Sequence, residues 1–133
     1  MGEAGLSASA RRLLVVDDEE KIREMLTRFF ALKGYDVRSV AGGEEALALL
    51  DVFPPDVVLL DLLMPGLSGV ETLKQLKQRR PSLKIVILSA ADLEQVAQGA
   101  LALGADYYVC KPPSLTELER LVSGFSPSRT HGH

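Results

Sequence analysis

Five short apolar runs, each followed by a stretch with helical periodicity, restrict this 133-residue chain more than any other feature of its sequence. The runs are LLVVD (13–17), YDVRSV (35–40), VVLLD (57–61), KIVILS (84–89) and DYYVC (106–110). Each is too short for an independent helix and rich in Val, Ile, Leu or Tyr, so each predicts a strand. Three of them are apolar almost without a break, as strands covered on both faces are.

The segments between carry the other period. Residues 19–33 place Ile22, Leu26, Phe29 and Phe30 at three- and four-residue spacing, and Gly34 offers a C-terminal stop. Residues 44–52 hold Ala46, Leu47, Leu49 and Leu50 ahead of Pro54. Residues 69–79 put Val70, Leu73 and Leu76 on one face and end at Pro81. Residues 92–103 repeat the pattern with Leu93, Val96, Ala97 and Ala100 before Gly104. In the last helix, 114–124, Ser114 and Glu117 form a capping-box pattern, and Leu115, Leu118, Leu121 and Val122 supply the stripe.

Five strand–helix units in succession predict an α/β fold: a parallel sheet, doubly wound, with helices on both faces. The expected organisation is one domain over 11–125, between a flexible leader (1–10) and a flexible tail (126–133). Charge excludes some functions. With 15 basic and 18 acidic residues the net charge is -3, and no long basic run is present, so nucleic-acid binding by bulk electrostatics is not expected. The apolar runs fall far short of a membrane span, and the first ten residues lack the pattern of a signal peptide. Cys110 is the lone cysteine, which rules out an internal disulfide and fits a cytoplasmic location. It is read as a small buried hydrophobe.

In a parallel α/β sheet, ligands sit at the C-terminal ends of the strands. Asp17 closes the first predicted strand, Asp18 follows it, and Asp61 closes the third. If strands one and three are neighbours where the strand order reverses, these carboxylates converge in one crevice. Clustered carboxylates resist joint ionisation. A hard cation relieves that repulsion, and Mg2+ suits a site with few protein carboxylates and several waters. Ser89, ending the fourth strand, adds a hydroxyl, and Lys111, ending the fifth, adds a compact positive charge suited to phosphate. Together these groups describe a place to hold a phosphoryl group, with Asp61 as the nucleophile. Taken singly, a strand-terminal Asp is a helix cap and a Ser a turn former. It is the joint placement at the ends of four strands that carries the expectation.

On these pieces the chain resembles the receiver domain of two-component response regulators, the CheY-like family. The matching stretches are VVDDEE (15–20), PDVVLLDLLMPGLSG (55–69), VILSA (86–90) and GADYYVCKP (104–112). The resemblance implies a flavodoxin-like (βα)5 fold with strand order 2-1-3-4-5. It also implies roles. Asp61 matches the phospho-acceptor, which takes a phosphoryl group from a sensor histidine kinase or a histidine phosphotransfer protein. Asp18, Asp61 and the backbone carbonyl of Leu63 match the magnesium ligands, with Asp17 acting through water. Ser89 matches the switch hydroxyl, Tyr108 the aromatic that follows it, and Lys111 the lysine that pairs with the phosphoryl group. The family also carries a cis bond at Lys111–Pro112. Pro65, Gly66 and Gly69 are expected to shape the loop behind the nucleophile.

Two departures stand out. Leu63 and Ala91 occupy the positions two residues after the phospho-acceptor and the switch hydroxyl, where side chains tune loss of the phosphoryl group. Neither side chain can hydrogen-bond an attacking water, so a long-lived phosphorylated form is expected. Pro113 replaces a frequent aromatic, and the fourth helix, DLEQVAQGALALG, is poor in charge for a salt-bridged dimer face. A monomer is expected when the protein is unphosphorylated.

The expected function is a phosphorylation-activated switch rather than a turnover enzyme. Its output face lies on the fourth helix, fifth strand and fifth helix, and controls a downstream partner or a covalently linked output domain. Two other functions fit the sequence less well. A magnesium-dependent phosphohydrolase of the haloacid dehalogenase type needs a second acid where Leu63 stands. A flavodoxin-like cofactor binder needs a phosphate loop where DDEE would repel phosphate. His131 and His133, in the tail, show no ligand spacing.

Overall fold

In the computed structural model, which describes residues 10–64, 68–90 and 94–125, strands and helices alternate along the chain. They are β1 (Arg12–Val16), α1 (Glu20–Leu32), β2 (Asp36–Val40), α2 (Gly43–Leu49), β3 (Val57–Asp61), α3 (Gly69–Arg79), β4 (Lys84–Ser89), α4 (Glu94–Ala102), β5 (Tyr107–Cys110) and α5 (Leu115–Gly124). The strands form one parallel sheet in the order β2-β1-β3-β4-β5, the order expected.

Alternation along each strand divides the core in two. Leu13, Val15, Val57, Leu59, Val86 and Leu88 face the side covered by Leu26 and Phe30 of α1 and Leu118 and Val122 of α5. Leu14, Val16, Val58, Leu60, Ile85 and Ile87 face the side covered by α2, α3 and α4 through Ala46, Leu73, Leu76, Ala97 and Ala100. All of these are buried, so β1, β3 and β4 are covered on both faces, and that is why their sequences are continuously apolar. Phe30 anchors the first layer; burying a side chain of that size is worth about 1.5–3 kcal/mol, and it also meets Phe29 and Tyr35 edge-on at 5.1 and 5.2 Å.

The helix ends follow local chemistry. Ser114 Oγ accepts from the Glu117 N–H at 3.2 Å, as its spacing predicts, and Ser68 does the same for Glu71 at 3.1 Å. Gly34, past the end of α1, takes φ +95°, a conformation side chains resist. Asp17 and Asp106 lie one residue outside the strands predicted to contain them.

Two expectations about burial are corrected. Cys110 is exposed, because it is the last residue of an edge strand whose neighbour Val109 takes the buried position. Val96, placed in the apolar stripe of the fourth helix, is 43 % exposed, while Ala97 and Ala100 make the contact with the sheet. Pro65, Gly66, Ala91, Leu93 and both histidines lie outside the described residues, as do the tail and all but Ala10 of the leader. Among the described residues, no helix is long and apolar enough to cross a membrane.

Candidate phosphoryl-acceptor site

Register brings the acids together. Val16 pairs with Leu60, so the residues that follow, Asp17 and Asp61, lie side by side at the C-terminal end of the sheet. The point lies between β1 and β3, where the chain reverses its direction of travel across the sheet. Asp17, Asp18 and Asp61 each offer a carboxylate oxygen, and these oxygens lie within 4.8 Å of one another.

Asp61 is buried at the tip of β3, 4 % exposed. Its Oδ1 accepts from the Leu63 N–H at 3.1 Å, and its Oδ2 lies 3.4 Å from Lys111 Nζ. Burial, and then the charge of Asp17, push its pKa up from 3.8 to about 6; the Leu63 N–H and Lys111 hold the rise in check. The backbone behind it is fixed by Gly69, where an added Cβ would stand 2.5 Å from the Asp61 carbonyl oxygen and 2.4 Å from Leu62 Cα. Only hydrogen fits there, and the Gly69 N–H donates to the Leu62 carbonyl at 3.2 Å.

Asp17 is fully buried. Its Oδ1 accepts from the Glu19 N–H at 2.9 Å, and its carbonyl accepts from Arg23 Nη1 at 2.7 Å, which pins the loop into α1. Its Oδ2 lies 3.0 Å from Lys111 Nζ, an ion-pair distance, yet the angle of approach falls outside hydrogen-bond geometry. A buried carboxylate oxygen with no hydrogen bond, beside two further carboxylates, fits a hard divalent cation. Asp18 is exposed at the mouth.

Lys111 follows β5 and precedes a cis bond to Pro112, as expected. Burial works against its charge, but hydrogen bonding to Glu19 and the acids Asp17 and Asp61 outweigh that and raise its pKa, so it stays an ammonium. The Glu19 contact, 2.8 Å, is the shortest of the ammonium's three carboxylate contacts. Glu19 escaped the sequence reasoning. Its place directly after Asp17 and Asp18 was a signal, but its partner is 92 positions away.

Ser89 is buried at the end of β4, and its hydroxyl donates to the Ala90 carbonyl at 3.1 Å. Its own carbonyl accepts from the Lys111 N–H at 2.7 Å, tying the two strand ends. Tyr108 pairs with Ile87 and is half-buried against the α2–α4 side of the core. Leu63 is 63 % exposed and lines an open cleft of about 280 Å³ with Asp18, Glu19, Asp61, Ala90 and Lys111. The geometry therefore gathers the three acids and Lys111 tightly, and places Ser89 and Tyr108 on the adjoining strands.

Residues 13–123 match the family described as response regulator receiver domain. The chain is 41 % identical over 112 residues to the alkaline phosphatase synthesis transcriptional regulatory protein PhoP of Bacillus subtilis, covering 84 % of this chain and 47 % of that protein. It is 42 % identical over 107 residues to the response regulator MprA of Mycolicibacterium vanbaalenii, covering 80 % of this chain and 46 % of the relative. The chain thus spans about half the length of these relatives. Among solved structures, the CheY-like receiver domain protein of Methanospirillum hungatei superposes with TM-score 0.82 at 27 % identity, over 86 % of this chain and 92 % of that one. None of these is a haloacid dehalogenase. The chain belongs to the response regulator receiver domains of two-component signal transduction.

Proposed function

We propose that this receiver takes a phosphoryl group on Asp61 Oδ2 from a sensor histidine kinase or a histidine phosphotransfer protein. One observation carries the assignment. Of the two buried acids beside the Lys111 ammonium, Asp17 at 3.0 Å and Asp61 at 3.4 Å, it is Asp61 that lines the open cleft.

The chain's own groups divide the work. Asp61 attacks phosphorus as the carboxylate; its N–H partner at Leu63 fixes the orientation of Oδ1 and leaves Oδ2 free for the bond. Lys111 supplies positive charge to the oxygens of the incoming group. Asp18, Asp61 and the Leu63 carbonyl are the proposed direct ligands of Mg2+, and Asp17 acts through water. When bound, the cation neutralises charge on the clustered acids and on the transferring group. Ser89 would leave the Ala90 carbonyl for the new phosphoryl oxygens, and Tyr108 would turn inward behind it, reshaping the α4–β5–α5 face. That face then acts on a downstream partner or a linked output domain. The unphosphorylated protein is proposed to be a cytoplasmic monomer, with no nucleic-acid contact through this segment.

Incubation with acetyl phosphate and Mg2+ tests the acceptor. Intact mass should rise by one phosphoryl group in the natural chain and stay unchanged in Asp61→Asn. A gain that survives this substitution would overturn the assignment.

A further inference from the structure

We propose that Glu19 is a positioning residue that latches Lys111 in the resting site and must release it before the lysine can hold a phosphoryl group. This rests on Asp61 being the acceptor. An ammonium has three N–H donors. Around Lys111 Nζ stand three carboxylates: Glu19 at 2.8 Å, Asp17 at 3.0 Å and Asp61 at 3.4 Å. Of the three, Glu19 is the one that accepts a hydrogen bond from Nζ, whereas Asp17 and Asp61 stand at ion-pair distance, and this closest partner is also the most exposed.

The three partners are not equivalent. Asp17 is fully buried and fixed by the Glu19 N–H, so it holds the lysine near the sheet whatever Glu19 does. Asp61 is the acceptor itself. The Glu19 side chain is 58 % exposed and lines the cleft into which a group on Asp61 would project. In the transfer, Asp61 Oδ2 forms a bond to phosphorus while the bond from phosphorus to the donor breaks. With acetyl phosphate, acetate leaves with the electron pair. The phosphoryl oxygens then compete with Glu19 for the ammonium it holds by that hydrogen bond, and they bring negative charge close to its carboxylate. Glu19 opposes arrival twice, by holding the donor and by repulsion. Its placement at the N-terminus of α1 fixes the latch to the same loop that carries Asp17 and Asp18.

The test uses the full chain, acetyl phosphate and Mg2+, with initial rates read by intact mass. Glu19→Gln and Glu19→Ala should both take up the phosphoryl group about two- to fivefold faster than the natural chain, the range expected for an exposed ion pair. A second readout needs neither phosphate nor metal. The side-chain 15N signal of Lys111, identified by its loss in Lys111→Met, should show faster proton exchange with water in both variants. If the natural chain takes up no phosphoryl group, the acceptor assignment falls. If it does, but either variant reacts at or below the natural rate, the latch alone falls. Faster transfer with an unchanged Lys111 signal would also overturn it, since charge alone would then explain the rate.

Discussion

Lys111 and Asp17 meet at 3.0 Å although β3 and β4 lie between the strands that deliver them. The pair closes the C-terminal end of the sheet over Asp61. It sets a fully buried carboxylate against an ammonium whose side chain is 17 % exposed. Removing one partner of such a pair leaves the other charged and dry, which costs more than the pair contributes. Lys111→Met should therefore lose about 2–4 kcal/mol of stability at neutral pH. Urea unfolding in EDTA gives the value, and added Mg2+ should restore part of it by supplying a counter-charge to Asp17 and Asp61. A variant as stable as the natural chain in EDTA would show that the acids tolerate one another unaided.

The raised pKa of Asp61 predicts a specific pH dependence. Its folded value, about 6, lies above its ordinary 3.8. The folded state therefore prefers the protonated acid. Stability from this group is fully present below pH about 4 and is lost as pH rises through about 6. Asp61→Asn, which never ionises, should be the more stable protein above pH 6 by about 1–3 kcal/mol, with the gap closing towards pH 4. Unfolding curves for both proteins at several pH values, without metal, decide it; a gap that widens on acidification contradicts the sign.

Persistence of the phosphoryl group should depend on Leu63. Its side chain lines the cleft and has no group to orient water. General-base help is worth about 10²–10⁴ in rate, and an exposed side chain would deliver only part of that. Leu63→Glu should shorten the lifetime of phosphorylated protein by about tenfold, measured by Phos-tag separation over time. Equal decay in the two proteins would remove Leu63 from the account.

Gly69→Ala probes the mount rather than the chemistry. The added methyl would stand 2.4–2.7 Å from backbone atoms of Asp61 and Leu62. Backbone has nowhere cheap to go, so the variant should lose about 1–3 kcal/mol of stability. Its phosphoryl uptake should fall too, because Asp61 shifts relative to Lys111. Thermal melts and acetyl phosphate rates on one preparation test both effects. Normal uptake in a destabilised variant would separate the fold from the site.

Local periodicity determined most of this protein. Runs such as VVLLD and KIVILS are continuously apolar because both their faces are buried, and the sequence states that directly. Likewise Asp17, Asp18, Asp61, Ser89 and Lys111 were legible because a parallel sheet puts all its strand ends at one edge. What the chain could not declare are the contacts between elements remote in sequence. Cys110 and Val96 looked like core from their neighbours, but coverage at the β5 edge depends on how α4 packs there. The direction of the Ser89 hydroxyl depends on the turn that follows it. Glu19 is the clearest case. In the sequence it is one more acid at the start of a helix; only the arrival of Lys111 from the far side of the sheet ties it to the acid cluster. Periodicity fixes which face a side chain takes, whereas strand order and loop path fix whom it meets.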